Sequence, residues 1–196
     1  MLPEMGEYLV RAYLEHCKGC KIVCYNVKTG KGQGEIDVMG FNFPEKTIFI
    51  CEVATHLDGI LYGKTLDTTV EKILSKFENM KTYVEENINK NKCFNKVHYM
   101  FWAPKVSGNT LKALEEKISE FKKTLNSEEE LKLVINDEYT KCFHELKEKA
   151  KKSTTDTGNP AFRMLQIEQH FLIKVKKNKF KREIEEAFNR AAHLKM

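Results

Sequence analysis

Three short segments rich in β-branched and aromatic residues follow one another near the start of the chain, and they constrain its fold more than any other feature. They cover residues 21–27, 35–41 and 47–54, and each has the composition of a β-strand. The first two are separated by a glycine-rich turn at residues 29–34, and the last two by a tight turn at residues 43–46. Connections this short join antiparallel neighbours, so the sequence predicts a three-stranded antiparallel meander.

Segments with helical spacing alternate with two further strands after this meander. Apolar residues recur at every third or fourth position in residues 67–87, and we also predict helices at 111–125 and 137–151. Residues 97–103 and 131–135 have the composition of strands. A helix that connects two strands makes them parallel, so the sequence predicts an α/β fold with a mixed five-stranded sheet flanked by helices.

The remaining helices are predicted at the two ends of the chain. Residues 3–16 precede the meander, and residues 160–173 and 179–193 follow the last strand. Asn159 and Pro160 form a typical helix start, with asparagine as the cap and proline at the first helical position.

The size and composition of the chain indicate a globular protein. Its 196 residues suffice for a compact domain with an extension, and 41% of them are hydrophobic. We predict a core at residues 1–135 and a helical, basic C-terminal extension at residues 136–196 that packs on this core.

Several classes of protein are not expected from this composition. No apolar run reaches the roughly 18 residues of a membrane helix. The first residues lack the basic start and the long apolar stretch of a secretory signal, so we expect a cytoplasmic protein whose six cysteines are free thiols. The glycine-rich turn lacks the GK[ST] of a phosphate-binding P-loop.

The second and third predicted strands carry acidic residues at matching positions. If their turn is symmetric about Pro44 and Glu45, Asp37 lies opposite Glu52, with the two Cβ atoms about 5 Å apart on one face. Two carboxylates at this distance repel unless a cation lies between them or one holds a proton. Carboxylate oxygens are the ligands that Mg²⁺ prefers, so the pair predicts a Mg²⁺ site in which Mn²⁺ can substitute. A slip of one residue would instead leave one carboxylate as an ordinary solvent-exposed side chain.

The residues around this pair resemble the core of the PD-(D/E)XK nuclease superfamily. The resemblance consists of Glu7 in the first helix, the run G-E-I-D at residues 34–37 and the run E-V-A-T at residues 52–55, in that order. It covers about residues 5–83 and includes the order of the helices and strands. It implies a restriction-endonuclease-like fold for the predicted core.

The same resemblance implies roles for individual residues. Asp37, Glu52 and the backbone carbonyl of Val53 match the positions that hold Mg²⁺ in the family. Glu7 matches a glutamate that supports the metal through water, and Glu35 is a further supporting candidate.

The chain departs from the family at the position of its lysine. That lysine follows the second acid by two residues, and Ala54 stands there instead. In the family it stabilises the charge that develops on the phosphate. Lys72, in the predicted helix at 67–87, is our first candidate for a relocated lysine, with Lys76, Lys64 and His56 as alternatives. Each of these is otherwise an ordinary surface residue.

The net positive charge of the chain lies at its C-terminal end. Residues 174–195 contain eight Lys or Arg and three Glu, an excess that equals the formal net charge of +5 of the whole chain. A basic end is expected to contact a polyanion such as DNA, although a solvated helix face is an equally good interpretation. The candidate nucleic-acid-binding residues are Arg163, Gln166, Lys174, Lys176, Lys177, Lys179, Lys181 and Arg182.

Together these features predict a Mg²⁺-dependent endonuclease that hydrolyses DNA phosphodiester bonds, with Asp37, Glu52, Lys72, Glu7 and Glu35 as its catalytic residues. A homodimer is compatible with cleavage of both strands of a duplex. The alternative is a catalytically inactive nuclease-fold module that binds nucleic acid or assembles with a DNA-processing partner. A nuclease that acts on RNA or on branched DNA is a third interpretation.

Overall fold

The computed structural model describes residues 2–30, 34–88 and 93–172, together with Lys179 and Arg182. The order of its helices and strands is the predicted one. The strands are β1 (Ile22–Lys28), β2 (Glu35–Asn42), β3 (Thr47–Val53), β4 (Lys96–Ala103) and β5 (Glu129–Ile135). The helices are α1 (Met5–His16), α2 (Leu66–Tyr83), α3 (Gly108–Lys122), α4 (Asn136–Lys151) and α5, which is described over residues 160–172.

The five strands form one mixed sheet in the order β1-β2-β3-β4-β5. β1, β2 and β3 are antiparallel neighbours, whereas β4 and β5 continue the sheet parallel to β3. Helices α2 and α3 make the two connections between the parallel strands. The predicted α/β architecture with a mixed five-stranded sheet flanked by helices is therefore confirmed.

The pairing of β2 with β3 follows the predicted symmetric turn. Val38 pairs with Cys51, Met39 with Ile50, and the ladder ends at Asn42 and Thr47. Because side chains alternate between the faces of a sheet, this register decides which residues of the two strands share a face.

Two apolar clusters cover the two faces of the sheet. The first cluster lies under α2 and α3 and contains fully buried residues such as Ile50, Ile73 and Phe101. The second lies under α1, α4 and α5 and contains Trp102 and Phe162. Burial of a large side chain stabilises the fold by about 1.5 to 3 kcal/mol, so these clusters fix the helices against the sheet.

Several helix boundaries differ from the prediction, most clearly those of α2 and α3. α3 begins at Gly108 because the Ser107 hydroxyl accepts a hydrogen bond from the amide of Thr110 at 3.4 Å, which satisfies a donor of the first turn. The helix predicted at 67–87 is α-helical only to Tyr83 and continues as a π-helical turn over Val84–Ile88. Both helix types keep an apolar face toward the core, so hydrophobic spacing does not distinguish them.

The described part of the predicted extension packs against α1. Asn159 Oδ1 accepts a hydrogen bond from the backbone amide of Phe162 at 3.1 Å, which confirms the predicted role of this side chain as helix cap. Asn159 Nδ2 donates to the Tyr8 carbonyl at 2.9 Å, and the His16 ring stacks on Phe162 with the ring centres 3.8 Å apart. The helix predicted at 179–193 lies outside the described residues apart from Lys179 and Arg182. Within the described part of the chain, no helix is both long enough and apolar enough to cross a membrane.

Candidate functional site

Asp37 and Glu52 lie across from each other where the β2–β3 ladder ends. The register that pairs Val38 with Cys51 places these two carboxylates at facing positions, as the sequence predicts. Both are buried, with 9% of Asp37 and 1% of Glu52 exposed. The amide of Val53 donates a hydrogen bond to Asp37 Oδ2 at 2.7 Å, which holds this carboxylate against β3.

Lys76 reaches this carboxylate pair from α2. Its Nζ donates a hydrogen bond to Glu52 Oε1 and forms an ion pair with it. It also lies 5.7 Å from the centre of the Tyr62 ring, within the range of a cation–π contact. Glu52 Oε2 is buried without a hydrogen-bond partner among the described residues. A carboxylate oxygen in this state is expensive to bury, so the site is poised to accept a further cation or donor.

A cavity of about 290 Å³ surrounds the pair, and we call it the acid cavity. One lysine, Lys76, and one histidine, His56, also line it. Its wall carries five carboxylates, which are Glu4, Glu7, Glu35, Asp37 and Glu52. Negative charge therefore exceeds positive charge in this cavity, and an added cation would lower its electrostatic energy.

Burial shifts the pKa values of the ionisable groups in the acid cavity. It raises the pKa of Asp37, an effect that the Val53 amide and the Lys76 ammonium partly offset. Burial also raises the pKa of Glu7, and the Asp37 charge adds to this rise. Burial lowers the pKa of Lys76, against the opposing influence of Asp37 and Glu35. Clusters of shifted groups in a cleft are typical of functional sites.

Close packing of α1 against the chain after β3 brings Glu7 to the cavity. Gly6 is buried, and a Cβ at this position would overlap the Thr55 side chain. Glycine therefore permits the start of the helix to lie beside Thr55. The amide of Glu4 donates a hydrogen bond to Glu7 Oε2 at 3.2 Å, which fixes this side chain at the helix start.

The loop before α2 places Tyr62 at the cavity. The amide of Tyr62 donates to the Thr69 hydroxyl at 3.1 Å, and that hydroxyl donates to the Thr65 carbonyl at 3.0 Å. Thr65 caps α2 by accepting from the amide of Thr68 at 3.2 Å. Gly63 supplies the positive φ of 111° that turns the chain between Tyr62 and the cap.

Sequence reasoning did not identify Glu4, Asn26 or Tyr62 as parts of the site. Asn26 lies in β1 with a φ of 50°, a left-handed conformation that asparagine tolerates better than most residues. Tyr62 reaches the cavity through the turn at Gly63. A glycine-containing loop after the acidic strand was the only signal for Tyr62, and no pattern in the sequence marked the backbone conformation of Asn26.

The four candidates for the missing lysine lie in different places. Ala54, at the family's lysine position, is buried in the first apolar cluster, with 2% of its surface exposed. Lys76 contacts Glu52, whereas Lys72 lines a neighbouring cavity together with Asp37. His56 is exposed at the rim of the acid cavity, and Lys64 is exposed and lines neither cavity. The geometry therefore favours Lys76 over our first candidate, Lys72.

Glu35 and Glu7 line the acid cavity without contacting the Asp37–Glu52 pair directly. Glu35 Oε2 accepts a hydrogen bond from Lys28 Nζ at 2.8 Å. Both glutamates are half-buried. Both therefore lie in the cavity wall beside the pair, where the family resemblance predicts the supporting glutamate Glu7.

The predicted nucleic-acid contacts on α5 divide between the surface and the interior. Arg163 is exposed, and its Nη1 donates to the Thr154 carbonyl and to Gln166 Oε1, each at 3.2 Å. Gln166 is buried, with 1% exposed, and its amide donates to the carbonyls of Ser153 and Thr155. Gln166 therefore holds the loop before α5 and is not on the surface, contrary to the expectation of a nucleic-acid contact.

The predicted basic contacts beyond α5 fall mostly outside the described residues. Lys179 and Arg182 are described and exposed. Lys174, Lys176, Lys177 and Lys181 lie outside the described part of the chain.

No group of three or more His, Cys, Asp or Glu side chains converges as a metal site would, among the residues that the structure describes. The Asp37–Glu52 pair supplies two side-chain ligands and would need a backbone oxygen and water to complete a metal site.

Comparisons of this chain with protein-family models, with curated proteins and with solved structures find no match. The resemblance to the PD-(D/E)XK superfamily therefore stays a prediction that depends on the motif residues and the site geometry.

Proposed function

We propose that this protein is a metal-dependent nuclease of the restriction-endonuclease-like type that hydrolyses DNA phosphodiester bonds, with Lys76 in place of the family's motif lysine. The observation that carries the proposal is the ion pair of Lys76 with Glu52, beside Asp37 in the acid cavity. Ala54, which occupies the position of the family's lysine, lines the same cavity. The ion pair restores the combination of two acids and one lysine that the family resemblance requires.

Asp37, Glu52 and the Val53 carbonyl would hold the metal ion. Two observations support this assignment: Glu52 Oε2 has no hydrogen-bond partner among the described residues, and burial raises the pKa of Asp37. Both carboxylates are shielded from water, so a bound cation would stabilise their charge. Mg²⁺ binds through one or two carboxylates and keeps several waters, so a site with two acidic side chains fits its chemistry. When bound, a divalent ion lowers the pKa of its water and offsets the charge of the scissile phosphate.

Lys76 would stabilise the negative charge that develops on the phosphate during hydrolysis. Lys76 Nζ is held between Glu52 and the Tyr62 ring, and a cation that is already in position needs no reorganisation when charge develops on the phosphate. Glu7 and Glu35 would orient water molecules around the carboxylate pair from the cavity wall.

A nucleic acid such as DNA is a substrate that fits the charge of the chain. A nuclease must overcome the repulsion between a polyanion and five cavity carboxylates, and an excess of Lys and Arg at the C-terminal end supplies attraction. Cleavage of both strands of a duplex would be served by a homodimer.

The test is cleavage of supercoiled, linear and branched DNA in the presence of Mg²⁺ or Mn²⁺, with RNA as a further substrate. We expect cutting by the wild type that chelation abolishes and that Asp37→Ala and Glu52→Ala both eliminate while DNA binding is retained. Cutting that survives both substitutions, or a wild type that binds DNA without cutting it, would refute a nuclease centred on this pair.

The ion pair also favours a second candidate function. A lysine that neutralises Glu52 permanently would make the site a structural one, in a module that binds nucleic acid or assembles with a DNA-processing partner. In that case Asp37→Ala and Glu52→Ala would leave the binding function intact, whereas neutralising Lys176, Lys177, Lys179 and Lys181 together would abolish it.

A further inference from the structure

A second cavity adjoins the acid cavity along α2. Its volume is about 440 Å³, and it shares Glu35, Asp37, Tyr62 and Lys76 with the wall of the acid cavity. The two cavities are therefore neighbouring parts of one cleft, with Asp37 and Lys76 in the wall that they share, whereas Glu52 lines the acid cavity alone. We call the second cavity the α2 groove, and the side chains that belong to it alone on the helix side include Lys72, Ser75 and Asn79.

These three polar side chains lie on the same face of α2 as Lys76. Residues three and four apart in a helix are neighbours on its surface, and Lys72 and Asn79 are separated by about 10 Å along the axis. Lys72 and Ser75 are exposed, and Asn79 is half-buried. Together they form one polar wall that runs along α2 on both sides of Lys76, beside the carboxylate pair.

The polar side chains of this wall have no partners in the described part of the chain. The side chains of Lys72, Ser75 and Asn79 form no hydrogen bond or ion pair with another described residue. In contrast Lys81, further along α2, donates to the Thr124 carbonyl at 2.6 Å. An ammonium, a hydroxyl and a carboxamide that point into a groove without partners are suited to oxygen acceptors of a ligand.

The charge of the cleft changes along α2. The acid cavity holds five carboxylates and one lysine, whereas the α2 groove has two lysines, Lys72 and Lys76, against Glu35 and Asp37. The named charges of the α2 groove cancel, so this region repels a phosphodiester far less than the acid cavity does. Lysine, serine and asparagine side chains are all frequent donors to the phosphate oxygens of nucleic acids.

We infer that the α2 groove binds the phosphodiester backbone of a DNA strand beside the carboxylate pair, with Lys72 contacting a phosphate and Ser75 and Asn79 donating hydrogen bonds to backbone oxygens. The inference takes its ligand, a DNA strand, from the proposed function, but binding in the groove requires no catalysis. It gives Lys72 a role in holding the strand, whereas Lys76 acts at the carboxylate pair.

The test is the salt dependence of DNA binding without divalent metal, measured by fluorescence anisotropy with labelled single-stranded and duplex oligonucleotides in a chelating buffer. Lys72→Ala should weaken binding about fivefold near physiological salt, because one phosphate contact is lost. It should also reduce the slope of log affinity against log salt by about 1, whatever the base sequence. Lys72→Arg should restore the wild-type slope, since the positive charge is kept.

A second variant separates hydrogen bonds from charge. Ser75→Ala combined with Asn79→Ala should weaken binding by about two- to fivefold, because two neutral hydrogen bonds are lost while the salt slope stays that of the wild type. The matched control is Lys122→Ala, which removes an exposed lysine in the last turn of α3 that lines neither cavity. It should change the affinity by less than about twofold. Thermal unfolding of each variant verifies its fold.

Three outcomes would overturn the inference: a Lys72→Ala variant with wild-type affinity and slope, an equal loss in Lys122→Ala, or a wild type that binds neither oligonucleotide. The proposed function fails separately. Suppose that Lys72→Ala reduces the slope of log affinity against log salt, but the wild type does not cut DNA with Mg²⁺ or Mn²⁺. The inference about the α2 groove then stands, and the proposed nuclease activity is refuted.

Discussion

The two ends of the central sheet both carry a cavity lined by charged residues, but the charges are arranged differently. The acid cavity lies where β3 finishes. The second cavity lies where β3, β4 and β5 begin. Its volume is about 260 Å³, and its wall includes Lys96, His98 and Glu130. We call it the opposite cavity.

The two ends differ in how deeply their carboxylates are buried and in how completely these are paired. The Glu52 side chain is 2% exposed and keeps one oxygen without a partner among the described residues, although Lys76 contacts the other. The Glu130 side chain is 62% exposed, and its Oε2 pairs with His98 Nδ1 at 2.9 Å. An exposed pair costs the fold little, whereas a buried and incompletely paired carboxylate is a cost that folding alone does not explain. This difference in burial and pairing is the reason that we propose the acid cavity, and not the opposite cavity, as the functional site.

The largest expected contrast is in DNA cleavage. Glu52→Gln keeps the shape of the side chain but removes its charge, so we expect the rate to fall by about a thousandfold or more. The matched change at the other end, Glu130→Gln, should leave the rate within about twofold of the wild type. Nicking of supercoiled plasmid with Mg²⁺ measures both variants. Equal rates for the two would remove the distinction between the ends.

A smaller contrast is expected in stability. Asp37→Asn removes a buried charge and keeps an oxygen that accepts the hydrogen bond from the Val53 amide, so it should raise the free energy of unfolding by about 1 kcal/mol. Glu130→Gln should change it by no more than about 0.5 kcal/mol, because that carboxylate is exposed. Urea unfolding in a chelating buffer gives both values. A clear loss of stability in Asp37→Asn would show that the Asp37 charge supports the fold.

The smallest expected effect is a pH dependence at the opposite cavity. Burial lowers the pKa of His98 from 6.5, although Glu130 opposes this shift. Between the lowered pKa and 6.5 the unfolded chain binds more protons than the folded one, so stability falls as the pH falls through this window. His98→Phe keeps a ring stacked on Phe49 and removes the proton-binding group. Thermal unfolding between about pH 5 and 7 should therefore show that this variant loses less stability than the wild type as the pH falls.

The acid cavity should show the reverse sign. The pKa of Asp37 is raised from 3.8, so the folded protein binds more protons than the unfolded chain above that value. Its contribution to stability is lost as the pH rises through the raised pKa. The stability of the wild type should therefore fall relative to that of Asp37→Asn as the pH rises through the raised pKa. Identical dependences of stability on pH for the two proteins would contradict the shift in pKa.

Local sequence patterns predicted the sheet and the facing positions of Asp37 and Glu52. Alternating strand residues and short turns determine antiparallel pairing locally, so the register that brings Asp37 opposite Glu52 followed from the symmetry of one turn. The two parallel strands followed from the helices between them. These features depend on residues close together in the chain.

The rest depends on contacts between distant segments. Lys72 and Lys76 lie on one face of α2, about 6 Å apart along its axis, and spacing does not reveal which of them reaches Glu52. That choice depends on where the Thr65 cap and the apolar contacts of Ile73 set the helix against β3. Gln166 has the helical spacing of a surface residue, and only the folded loop at residues 153–155 buries it.

The most direct measurement is DNA cleavage by Lys76→Ala and by the double variant Lys76→Ala/Ala54→Lys. Position 54 directly follows β3 and comes two residues after Glu52, so a lysine there extends on the same face of the sheet as Glu52. We expect the single substitution to lower the rate by about a hundredfold to a thousandfold. The double variant should recover at least about tenfold of this loss, because it places the lysine at the family's position. A Lys76→Ala variant that cuts DNA at the wild-type rate would contradict the replacement of the motif lysine by Lys76.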